Sequence, residues 1–118
     1  MRKGEIVVME KAALELNQVI KESEEYSQYQ TTMVRLMEHQ ELYQAVNVFR
    51  RRNCELQGYD DGVNRYQEIN NLGLEYEKVL RNPIVNEFLV AEQVLSRKLI
   101  QVYETVVDGL ELDYSYME

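Results

Sequence analysis

Reactive side chains and helix breakers are both scarce in this sequence. Among 118 residues there is one cysteine, Cys54, one histidine, His39, and one proline, Pro83. A single cysteine excludes an internal disulfide framework and cannot by itself hold a zinc ion or an iron–sulfur cluster, so Cys54 reads as a plain thiol. His39 lies in "MEHQE", which lacks both the paired Glu-x-x-His of di-iron bundles and the His-Glu-x-x-His of zinc hydrolases; it reads as a polar residue at a helix junction. No glycine-rich loop leads into a Lys-Ser/Thr pair, and there is no Gly-x-Ser-x-Gly. Carboxylates are abundant, yet no pair stands out as an acid/base couple. These absences predict no catalytic residue, no metal site and no cofactor.

Long apolar runs are missing too. None approaches the roughly 20 residues of a membrane span, and "MRKGEIVVMEK" is too short and too quickly charged for a signal peptide, so a cytoplasmic protein is expected, with no membrane partner. A composition that is 45% apolar and 29% charged predicts one soluble globular domain over residues 1–118. Basic residues are outnumbered, with a net charge of −8, which opposes general binding to phosphate backbones. The exception is "FRRRN". Consecutive Arg50, Arg51 and Arg52 point in three directions about 100° apart on a helix, so they form no single basic strip. They read as a solvated surface, with an acidic partner's docking site as the other reading.

What is present is helical periodicity. Asn82 can cap a helix and Pro83 suits its first turn, where a missing N–H is not needed. Ile84, Phe88, Ala91, Leu95, Leu99, Val102 and Val106 then recur at steps of three and four along one face. Val85, Leu89, Tyr103 and Val107 widen that stripe to about half the circumference, more than one neighbouring helix covers. Upstream, Met9, Ala12, Ala13, Leu16, Val19 and Ile20 make a first amphipathic helix beginning soon after Gly4. A phase shift follows, with Ser23 as N-cap and Glu24 and Glu25 in the positive first turn of a fresh or kinked helix carrying Tyr26, Tyr29, Met33, Leu36 and Met37. A second offset at "EHQE" precedes Leu42, Ala45, Val46, Phe49 and Leu56. "GYDDG" is the strongest turn signal. Beyond it Val63, Tyr66, Ile69, Leu72, Tyr76, Val79 and Leu80 mark a further helix. Gly73 inside it costs up to about 1 kcal/mol relative to alanine, which a closely passing backbone would justify. The tail from about residue 110 reads as frayed, with Tyr114 and Tyr116 able to pack on a neighbour. The expected fold is all-α, an antiparallel helical hairpin or bundle of about four to five helices with a long C-terminal helix.

Two polar residues fall inside apolar faces: Glu92 between Phe88 and Leu95, and Asn53 between Phe49 and Leu56. A buried carboxylate is costly unless paired, so Glu92 requires a donor from another helix or another subunit. Asn53, the arginine triplet and the tyrosines are the candidates, and such a contact would set helix register; the other reading has Glu92 reaching sideways into water.

Three segments, "LNQVIKESEEYSQYQ", "FRRRNCELQG" and "LRNPIVNEFLVAEQVLSRKLIQV", together resemble the YlbF/YmcA family of small bacterial helical proteins over roughly residues 8–108. The Asn82-Pro83 pair followed by Phe88 and Ala91-Glu92 is the most specific part, with Ser23 to Tyr26 and Phe49 to Gln57 in support. The resemblance implies a self-associating helical protein with a regulatory role and no catalysis of its own. It further implies an accessory subunit of a complex that adjusts the endoribonuclease RNase Y. Asn53 departs from the glutamine that the family tends to carry. A lone cysteine does not reproduce the cysteine-rich cluster binding of some members of that complex, and cluster binding is not carried over.

Burying an apolar side chain is worth about 1.5–3 kcal/mol, against a total stability of about 5–15 kcal/mol. A half-wet stripe is therefore expected to pack on a second copy as well as on its own chain, through Phe88, Ala91, Glu92, Leu95, Leu99 and Val102, with a twofold homodimer as the default. A protein-interaction module is the leading function class. A purely structural self-assembling protein and a small-ligand-binding bundle or enzyme are the others.

Overall fold

The computed structural model describes residues 3–58, 65–111, 113 and 115, with side chains from Val7 onward. Among the described residues six helices follow one another: α1 (Lys3–Lys21), α2 (Glu24–Met37), α3 (Gln40–Gly58), α4 (Tyr66–Glu75), α5 (Glu77–Arg81) and α6 (Pro83–Val107). No strand occurs among the described residues, and the fold is all-α. The "GYDDG" turn beyond Gly58, Val63, and Tyr114 and Tyr116 of the tail lie outside the described residues.

Local chemistry places the joints. Ser23 takes extended backbone geometry and its hydroxyl oxygen accepts from the Tyr26 amide at 3.2 Å, while the hydroxyl itself donates to the Ile20 carbonyl at 2.6 Å. One side chain thus closes α1 and opens α2. At the next joint the Glu38 amide donates to Val34 and the His39 amide to Leu36, and the Gln40 side-chain amide donates to the Met37 carbonyl. Asn82, held extended as residues before proline are, accepts the Ile84 amide at 2.9 Å, and Pro83 occupies the first helical turn.

Two boundaries differ from the sequence reading. The first helix already contains Gly4. The helix expected to run unbroken to Leu80 is interrupted at Tyr76, which sits at φ −103°, ψ 17° between α4 and α5. The hydrogen bonds from Tyr76 to Leu72 and from Leu80 to Tyr76 persist, so the break is a kink. Tyr76 is held there from α3, with its ring 5.6 Å from that of Phe49 and the Arg52 guanidinium 5.7 Å from its centroid. Gly73 does not owe its place to a passing backbone: a Cβ built on it meets nothing within 4 Å.

The core sits where α2, α3 and the first half of α6 meet. Leu36, Val46, Val85 and Phe88 are fully buried, ringed by Tyr29, Met33, Leu42, Tyr43, Val79, Ile84 and Leu89. Helix α2 packs most extensively on α6 and antiparallel to it, since Arg35 near its end pairs with Glu87 near the start of α6. The remainder of the chain spreads outward: the radius of gyration is 18.7 Å and the principal extents are 53 × 39 × 20 Å. A compact chain of this length has a radius of gyration of about 13–14 Å.

Candidate functional site

Helix α6 is the longest element, and its stripe divides into two halves with different surroundings. Val85, Phe88, Ala91 and Leu95 are buried. From residue 96 to residue 106 every position except Val102 is exposed. Leu99 is 40% exposed and Val106 58%, and Val102 is half-buried. Of the residues expected to serve core and self-association together, Phe88, Ala91 and Leu95 lie in the core, while Leu99 and Val102 lie beyond it, because α2 with 14 residues ends before it can cover 25 residues of α6.

Helix α1 forms a second unpartnered surface. Every residue from 7 to 15 is exposed, and only Leu16 and Ile20 are half-buried against the body. Val8, Met9 and Val19 are among the large apolar side chains left in water. An isolated helix of this length is marginal, and helices in proteins draw most of their stability from packing an apolar face. The helix therefore carries a face without a partner among the described residues.

The three consecutive arginines do point to different places. Arg50 pairs with Glu92 and lies over the Phe88 ring, 5.3 Å from its centroid. Arg52 pairs with Glu75 at 3.1 Å; that hydrogen bond, and then one to Tyr76, raise its pKa above the usual guanidinium value. Arg51 is exposed. Steps of 100° send Arg50 to α6 and Arg52 to α4, leaving Arg51 at the surface.

Glu92 takes its donor from the arginine triplet, while its side chain stays 28% exposed. It combines a specific partner with partial solvation. Asn53 is not that partner: its side-chain oxygen accepts from Gln57 one turn along α3 at 3.0 Å. Sequence reasoning did not find the Arg35–Glu87 pair at 2.6 Å, which ties the end of α2 to the start of α6. Both residues lie outside the apolar stripes, where no pattern announces a partner 52 residues away.

No described helix is long and apolar enough to cross a membrane. Residues 9–111 match the family model described as control of competence regulator ComK, YlbF/YmcA. No curated protein and no solved structure matches.

Proposed function

Because the chain belongs to the YlbF/YmcA family, whose described role is control of the competence regulator ComK, we propose that it is a non-catalytic, cytoplasmic protein-interaction module that first assembles with a second copy of itself. One observation carries this reading: α1 and the distal half of α6 present apolar stripes that the described residues leave open. The chain exposes 9704 Å², whereas a compact monomer of its mass exposes about 6,700 Å². The excess is on the order of 3,000 Å² per chain, of which an obligate homodimer interface of about 2,000–5,000 Å² in total covers about 1,000–2,500 Å² on each partner. A twofold dimer built on these stripes supplies a large part of that cover, and the remaining surface meets other regulatory proteins.

The finer role that best suits this module is that of an accessory subunit influencing RNA processing through a ribonuclease complex, without touching RNA itself. Its support is the resemblance of the capping and arginine segments to the family. The net charge of −8 and the engagement of Arg50 and Arg52 in internal ion pairs favour protein over nucleic acid as the direct contact. Tagged protein recovered from its native host, with and without ribonuclease treatment, tests the reading. Ribonuclease-resistant recovery of a ribonuclease or its accessory subunits is expected. Recovery of the protein alone in repeated trials overturns the regulatory role in favour of a structural assembly.

A further inference from the structure

We propose that the groove between α2 and α6 is a docking site for a basic amphipathic helix of another protein. The groove holds about 500 Å³. Its floor is Val90, Ala91 and Val94, and Val90 and Val94 are 51% and 48% exposed. Ala91 beside the two valines is small and buried, so the floor carries no bulky group on that side. The lining from Asn86 to Val94 spans about 12 Å of helix, enough for apolar anchors one and two turns apart on a bound helix. Thr32 at the base is already satisfied, because its hydroxyl donates to the Gln28 and Tyr29 carbonyls. The floor therefore asks for apolar groups.

The rim specifies the charge of the occupant. Glu24, Glu25 and Glu87 border the groove; Glu87 is taken by Arg35, whereas Glu24 and Glu25 have neither a hydrogen-bond nor an ion-pair partner among the described residues. Glu25 is nevertheless half-buried. The N-terminus of α2 favours acids in its first turn, but that does not account for an apolar floor beside them. Lysine or arginine flanking an apolar stripe complements both features. A second copy fits less well: the chain carries a net −8, and the lysines of α1 at 3, 11 and 21 are matched by glutamates at 5, 10 and 15. Val94 also lies on the order of 140° round the helix from Leu99, so the exposed valines of the groove project away from the Leu99 edge of the distal stripe. The proposal rests on the protein-interaction reading above.

The test titrates the full chain into a fluorescein-labelled leucine/lysine amphipathic peptide of about 18 residues, with a leucine/glutamate peptide as control, in about 0.15 M salt. Binding of the basic peptide alone is expected. Glu24→Gln with Glu25→Gln, and separately Val90→Ser with Val94→Ser, should each weaken it about tenfold. Glu10→Gln with Glu15→Gln, the same charge change on α1, should leave it within about twofold. Circular dichroism confirms that each variant folds. Equal weakening by both glutamine pairs, or no binding of the basic peptide, overturns the proposal. So does sedimentation showing that the serine pair converts a dimer to monomer, which would assign the groove to a second copy. Failure of the unsubstituted chain to bind the basic peptide while it still self-associates removes the groove alone and leaves the assembly reading standing.

Discussion

The Arg50 guanidinium pairs with the Glu92 carboxylate and lies over the face of Phe88, 5.3 Å from its centroid. One side chain of α3 thus grips two residues a turn apart on α6, one by charge and one by its aromatic face.

Because the Arg50 side chain is itself 36% exposed, its charge pairing is discounted by solvent. Arg50→Ala is expected to lower stability by about 1–2 kcal/mol, through lost packing on Phe88 as much as lost charge. A double-mutant cycle with Glu92→Gln should give a coupling of about 0.5–1 kcal/mol. Urea unfolding of the four proteins measures both. Glu92→Leu then addresses register: a shifted oligomeric state is expected, and an unchanged state with equal or greater stability would falsify that role.

The two halves of the α6 stripe should respond differently to truncation. Phe88→Ala removes a fully buried ring and is expected to cost about 3–5 kcal/mol, with Phe88→Leu as the milder variant that keeps the fold. Leu99→Ala should cost the folded monomer under about 1 kcal/mol, since its side chain is already part-wet, yet raise the dimer dissociation constant about tenfold. Unfolding curves and sedimentation velocity across a concentration series separate the effects. A concentration-independent monomer in both proteins would remove the assembly reading.

Gly73→Ala is expected to stabilise the chain by about 0.5–1 kcal/mol, because alanine is the better helix former and a Cβ there meets open space. A thermal melt of the variant measures it. A destabilised variant would mean that the glycine is needed where another protein's backbone comes close.

Ser23→Ala removes an oxygen that caps α2 and a hydroxyl that donates to the end of α1. The expected loss is about 1 kcal/mol, similar to that of Asn82→Ala at the start of α6. Hydrogen exchange should place the Ser23 effect in the amides of Glu24 to Ser27, ahead of any change in the core.

The elements were legible where the signal was local. Ser23 and Asn82-Pro83 announce helix starts because capping and proline geometry act within three residues. The Phe88–Ala91–Leu95 spacing is helical whatever it packs against. The kink at Tyr76 was not legible, since it depends on Phe49 and Arg52 arriving from α3.

The choice of partner for Glu92 shows the same division. Its place in an apolar stripe marks it as a carboxylate in need of a donor, and that follows from order along the chain. Which donor reaches it is a matter of how α3 lies on α6: the fold brings Arg50 to Glu92, while Asn53 accepts from Gln57 along its own helix. By itself, then, the sequence determined an all-helical chain with its helix starts, its lack of recognisable catalytic motifs and its excess of apolar stripe. Tertiary structure alone decided which part of that stripe is core, which ion pairs cross between helices, and that a groove opens between α2 and α6. Periodicity is a property of one helix, whereas burial and pairing depend on the relative placement of two.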